Sequence, residues 1–194
     1  MKTLVLAAGL LTALVVGSQG LDAKPQDEEM PMAQPGEQHR MMKAFVGDWD
    51  AALTFSSPMG EIQMQGKEKV SMFGAFYQLS EFSGDFMGIP FEGRATMGYD
   101  PIGEEWTITW IDTMSPTISI MKGDWDAESK SWTFFHTQPN EAGEIVDMKT
   151  VIAIQSDDAH THTAYALEDD GTEVQQMHIA YTRAKTKPKA DGMR

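Results

Sequence analysis

The feature that most constrains this chain is an alternation of apolar and polar residues with a period of two, running from Gly47 to Arg183. That period places successive side chains on opposite faces of an extended strand, so it specifies half-buried strands and excludes a helical domain. Trp49, Ala51, Leu53 and Phe55 share one face, and Ile62 and Met64 stand opposite Glu61, Gln63, Gln65 and Lys67. Further strand-like segments are 76–82, then Phe91, Ala95, Met97 and Tyr99, then Trp106, Ile108, Trp110 and Asp112. Ile118 and Ile120, and then Trp132, Phe134 and His136, continue the pattern, and the last three strands span 145–155, 160–167 and 174–183. Turn chemistry interrupts about every 8 to 14 residues. Ser57-Pro58-Met59-Gly60 and Asp100-Pro101-Ile102-Gly103 suit type I turns, and Asp169-Asp170-Gly171 is a hairpin signal. The count is about ten short strands.

Only residues 37–46 read as helical, with His39, Met42, Phe45 and Val46 near one side and Gly47 as the stop. One short helix cannot cover so large a sheet, whereas closing the sheet on itself removes its edges. The expected fold is therefore all-β: an antiparallel up-and-down barrel with one short N-terminal plug helix, with a sandwich as the competing architecture. Barrels of this size leave room for side chains and often for one small ligand.

At 194 residues the chain suits a single domain. Asp and Glu outnumber Lys and Arg by 29 to 15, and a net charge of −14 argues against nucleic acid or anionic lipid as partner. The absence of cysteine excludes disulfides, thiolate metal sites and cysteine nucleophiles. Residues 1–20 read as a signal peptide: Lys2 gives a positive start, Leu4 to Val16 an apolar run, and Ser18-Gln19-Gly20 small residues for cleavage. The run is too short to span a bilayer, which needs about 20 apolar residues. Residues 21–36, rich in Pro, Gln and acids, read as a disordered linker, 37–184 as the barrel, and 185–194 as a basic flexible tail. These segments predict an exported protein of the periplasm or extracellular space.

Gly47-Asp48-Trp49 at the start of the first strand resembles the Gly-x-Trp signature of lipocalin-like (calycin) barrels. In that group the Trp packs against an Arg of the last strand, and the resemblance assigns those structural roles to Gly47, Trp49 and Arg183. A closer resemblance covers residues 37–184. His39, Val46-Gly47-Asp48-Trp49, Met97-Gly98-Tyr99-Asp100-Pro101 and Trp110-Ile111-Asp112-Thr113-Met114 appear in order, followed by Gly123, Asp126, Met148-Lys149, Val151-Ile152, Ser156-Asp157-Asp158 and Tyr181-Thr182-Arg183. This ordered set is similar to the bacterial family called domain of unknown function 1579. The resemblance implies a lipocalin-like barrel without an established activity.

Trp106, Trp110, Trp132 and Phe134 fall on the faces that carry Asp112 and His136, which suggests an aromatic chamber holding one acid and one imidazole. With Met148 and Tyr181 these residues form the candidate lining for a small apolar or amphipathic ligand. The competing reading makes the aromatics ordinary core and has Asp112 tie down a strand end or the Ser115-Pro116 turn. An enzymatic reading requires Asp112 and His136 to lie within about 3 Å or to share a water. A third reading is an envelope interaction or structural module without a ligand.

His160 and His162 share a face with Ala164, Ala166 and Glu168 while Tyr165 and Leu167 point the other way, so both histidines are expected to face solvent. Without a third ligand they make no metal site. Met30, Met32, His39, Met41 and Met42 are a loose set of soft ligands for Cu(I), but the last two have a packing role under the barrel. His178 resembles the haem-ligating histidine of some lipocalin-like barrels, yet alternation groups Met177, Ile179, Tyr181 and Arg183 on one face and sends His178 to the other unless a bulge intervenes. No nucleophile elbow, phosphate-binding glycine loop or His-Glu-x-x-His helix occurs, and no sequence motif calls for a cofactor. The stretch from Gly84 to Phe91 reads as a glycine-flanked apolar loop, either a pocket lid or a contact surface.

Overall fold

A computed structural model describes residues 33–57, 60–140 and 142–185. The segment 1–20 read as a signal peptide, most of the segment 21–36 read as a linker, with Met30 and Met32, the residues Pro58 and Met59, and nearly all of the segment 185–194 read as a basic tail lie outside the described residues.

The alternating segments form strands β1 (Gly47–Ser57), β2 (Gly60–Phe73), β3 (Tyr77–Phe86), β4 (Ile89–Asp100), β5 (Glu105–Asp112), β6 (Ser119–Asp126), β7 (Ser131–Pro139), β8 (Ile145–Ser156), β9 (Ala159–Leu167) and β10 (Glu173–Arg183). Each pairs antiparallel with its sequence neighbour, and β10 closes onto β1 with Trp49 opposite Arg183 and Ala51 opposite Tyr181. The result is the closed up-and-down barrel that the alternation predicts. The sandwich is excluded because no strand keeps a free edge.

Before β1 the chain forms α1 (Glu37–Met41) and a 3-10 turn (Met42–Phe45), which together plug one end. Met42 and Phe45 are buried, and the Phe45 ring stands 5.6 Å from Trp132 and 5.0 Å from His160. His39 is buried edge-on against Phe76 and Tyr99, and its Nδ1 accepts the Gly36 N–H at 3.1 Å. Trp49 donates from Nε1 to the Phe45 carbonyl at 2.8 Å, fastening plug to barrel. Trp49, Trp132, Phe134 and Met42 are the largest fully buried side chains. Burying a large apolar side chain contributes about 1.5–3 kcal/mol, so this plugged end is where much of the barrel's stability resides.

The segment from Gly84 to Phe91 is not an open loop. Gly84 pairs with Phe91, Asp85 with Pro90 and Phe86 with Ile89, leaving only Met87 and Gly88 as a tight turn in which both residues have positive φ. That geometry matches the twist of a two-residue hairpin, so the lid expectation gives way to a hairpin whose Phe86 and Phe91 face inward.

Candidate functional site

The barrel encloses a cavity of about 690 Å³. Strand polarity locates it: its lining runs from Phe45, Glu68, His160 and Tyr181 beside the plug to Phe55, Phe86, Phe91, Trp110, Gln138 and Gln176 at the opposite, open end. Between these lie Leu53, Met64, Met97, Ile108, Met121, Met148 and Ile179, an apolar neck rich in methionine. Unbranched, polarizable methionine side chains fit ligands of varied shape, which gives the chain's 15 methionines a partial address.

Of the expected lining residues, Trp110, Asp112, Trp132, His136, Met148 and Tyr181 border the cavity. Trp106 and Phe134 do not line it. Both are buried in the packed core, where Trp106 stands 5.4 Å from Trp132 and 5.1 Å from Tyr99, and Phe134 is fully enclosed. They share a strand parity with the cavity, but at their level the space is filled by neighbouring rings.

At the mouth, the Trp110 ring lies directly over Gly93, where a Cβ would overlap it. Trp110 Nε1 donates to Asp112 Oδ2 at 2.9 Å, and Asp112 Oδ1 accepts the backbone N–H of Met114 and of Ser115, each at 2.8 Å. Both carboxylate oxygens are thus committed to holding a ring and a turn. His136, two strands away on β7, has no hydrogen bond to Asp112; its ring interacts with Gln138 while its buried Nδ1 has no partner. Burial lowers its pKa. Asp112 thus plays the turn-anchoring part of the alternative reading, and among the described residues no direct hydrogen bond joins it to His136.

The floor beside the plug carries polar groups of another kind. Glu68 on β2 points inward and is buried, and Ser80 Oγ on β3 donates to its Oε1. Desolvation raises the Glu68 carboxyl to about 7, with the Ser80 hydrogen bond opposing. Gln78, one inward position before Ser80, has a buried Oε1 without a partner, as do His160 Nδ1 and Trp132 Nε1.

His160 and His162 face inward, which corrects the expectation of solvent exposure. His160 is 3% exposed, stacks on Tyr181 at 4.4 Å and meets the Trp49 edge at 4.4 Å; His162 lies 4.8 Å from Tyr181. The face was misjudged because Tyr165 and Leu167 are the larger apolar neighbours. The Tyr165 ring in fact lies outside, covered by Lys149 Nζ at 5.2 Å. Burial lowers the His160 pKa to about 4, with Arg183 adding to the effect, and holds His162 well below the ordinary range. Burial likewise pushes Tyr181 well above its usual value, and the nearby Glu68 reinforces this.

His178 follows the alternation argument: it is not part of the cavity lining, and its Nδ1 pairs with Thr163 Oγ1 at 2.9 Å. A bulge does occur between Gln175 and Met177, but its effect is to turn both Gln176 and Met177 toward the cavity. Met41 and Met42 pack against the core, and among the described residues no group of three His, Asp or Glu side chains could hold a metal ion.

Glu68, Gln78 and Ser80 are the floor residues that the sequence reading passed over. Their signal was parity: Glu68 falls on the same face as Met64 and Val70, a lone acid in an otherwise apolar register.

This barrel, its plug and the Trp49–Arg183 closure coincide with a family model matching residues 34–183. The chain belongs to the family described as protein of unknown function DUF1579. No curated protein matches this DUF1579 member. Among solved structures, Rv2717c from M. tuberculosis superposes with a TM-score of 0.56 at 7% identity, covering 78% of this chain and 100% of that one. The S-type phycobiliprotein lyase CPES from Guillardia theta superposes at 0.51 with 12% identity, covering 84% and 100%. At such identities the likeness establishes a shared barrel fold, and the chemistry of this DUF1579 chain rests on its own residues.

Proposed function

We propose that this chain is an exported binding protein that holds one small amphipathic molecule inside its barrel. The observation that carries this reading is the 690 Å³ cavity, within the range of about 300–1,000 Å³ typical of small-molecule sites. Its construction supports the reading as well: apolar walls surround a few convergent polar groups, and several of those groups are buried without partners. Native proteins rarely leave buried donors and acceptors unmade, so the floor is suited to a ligand's polar end or to ordered water. A filled interaction module would not retain such a space.

Trp110 and Trp132 line the cavity and report on it. Titrating the purified protein with long-chain alcohols, amines, fatty acids, quinones and isoprenoids is expected to give saturable tryptophan quenching with at least one class; absence of saturation with all of them overturns the reading. Export rests on the apolar run and small residues at 1–20, and producing the full chain in a Gram-negative host is expected to release a protein beginning at Leu21. Retention of residues 1–20 in the recovered protein contradicts it.

A further inference from the structure

Glu68 is a carboxyl group at the bottom of an apolar cavity, 7% exposed, with a single neutral donor, Ser80 Oγ, on one of its oxygens. Buried carboxylates are ordinarily paired with a cation, because taking the charge out of water otherwise costs several kcal/mol. The protein supplies no such cation here, since none of the residues lining the cavity is Lys or Arg. Arg183, across the seam from Trp49, is held against that ring and spends its donors on backbone carbonyls and Asp158.

Gln78 points the same way, whereas Trp132 Nε1, a buried donor without a partner, is left for another part of the ligand or for water. Gln78 Oε1 is a buried acceptor without a donor, one inward position from Ser80 on β3. His160 Nδ1 is buried without a partner on the wall formed by Tyr181 and Trp49, and Trp49 is the register neighbour of Glu68. The floor therefore offers the Glu68 carboxyl and Gln78 Oε1 as acceptors, has no Lys or Arg in its lining and is edged by aromatic rings. An anionic head would find repulsion there, and a carbonyl would leave Gln78 unmade. An ammonium group brings three donors and one positive charge.

Resting on the reading of the barrel as a binding protein, we infer that its ligand is an apolar molecule with a cationic amine head, the ammonium seated between Glu68 and Gln78 and the tail lying along the methionine-rich neck. Consistent with that placement, the Glu68 carboxyl lies near 7 without a counter-ion, so a bound ammonium draws it into the charged form and releases a proton. Amine affinity then rises as Glu68 ionises, about tenfold between pH 6 and pH 8.

The test is calorimetric titration of the purified protein with dodecylamine, dodecan-1-ol and dodecanoate at pH 6 and pH 8, repeated on Glu68→Gln and Gln78→Leu. Dodecylamine is expected to bind at least tenfold more tightly than the other two at pH 8. In Glu68→Gln the amine's advantage over dodecanol should fall to within about twofold, and Gln78→Leu should narrow that advantage as well. Equal, saturable binding of amine and alcohol by the unsubstituted protein overturns the head-group inference and leaves the binding reading standing. An amine preference that survives Glu68→Gln also overturns it, by assigning the preference to the protein's overall negative charge. Failure of all three probes to saturate sinks the binding reading and this inference together.

Discussion

The Arg183 guanidinium lies 4.2 Å over the ring of Trp49, its direct register partner across the β1–β10 seam. From there it donates to the carbonyls of Val46 and Ala44 at 3.0 Å each, to the Asp157 carbonyl at 2.8 Å and to the Asp158 carboxylate at 2.9 Å. One side chain thus joins the plug, the closing strand and the β8–β9 turn. Lysine keeps the charge but not the fork. Arg183→Lys is expected to lower stability by about 1.5–3 kcal/mol in urea unfolding, the range for charge-assisted hydrogen bonds lost at one site. A change near zero would mean that the seam is held elsewhere.

Glu68 gives stability a pH dependence of definite sign. Its folded value, about 7, lies above the 4.5 usual for a glutamate in water, so the folded state holds the proton more tightly than the unfolded one. The group is neutral in both states below 4.5; between 4.5 and 7 the unfolded chain ionises first and stability falls, and above 7 the penalty is constant. Glu68→Gln is therefore expected to match the parent protein near pH 4 and exceed it at pH 8 by on the order of 3 kcal/mol. Urea unfolding at the two pH values checks this, and a pH-independent difference contradicts it.

The two floor histidines act in the opposite sense. Burial depresses His160 to about 4 and holds His162 well below its ordinary range, so the unfolded chain takes up protons first as pH falls from 6.5. Their contribution to stability is intact above 6.5 and is lost progressively toward pH 4. Nitrogen-15 spectra of the imidazoles should show both rings neutral at pH 5.5. Protonated rings at that pH would mean that the floor is open to solvent.

Gly93 gives the Trp110 ring its seat at the cavity mouth. A methyl group there overlaps the indole, so Gly93→Ala should displace the ring, break its 2.9 Å bond to Asp112 and cost about 1–3 kcal/mol. Tryptophan emission should shift to the red as the ring moves toward water. Unchanged emission and stability would contradict the packing.

Much of the fold was legible because period-two alternation is enforced wherever one strand face is buried. Trp49, Leu53, Ile108 and Ile179 announce their face by composition, and Gly47 and Arg183 mark the seam. The site was harder to read for a physical reason. In a barrel with a ligand cavity the inner face is not uniformly apolar, so His160, His162 and Glu68 resemble an outer face, while Tyr165 outside resembles core. Parity carried across from Met64 and Val70 identifies Glu68, but no parity distinguishes cavity-lining Trp110 from packed Trp106. That difference depends on where the plug fills the barrel, which is set by Phe45, Trp132 and their neighbours in space.

The central claim is that the interior is an accessible binding space, and filling it tests that claim most directly. Ala95 and Ala164 both line the cavity, and replacing each with Phe adds bulk at its wall without touching the plug or the seam. The measurement is the fluorescence of N-phenyl-1-naphthylamine titrated into the parent protein and into the Ala95→Phe/Ala164→Phe variant, with circular dichroism confirming equal strand content. The account predicts saturable one-to-one binding by the parent and at least a tenfold loss in the filled variant. Equal binding by both, or no saturable binding by the parent, would contradict it.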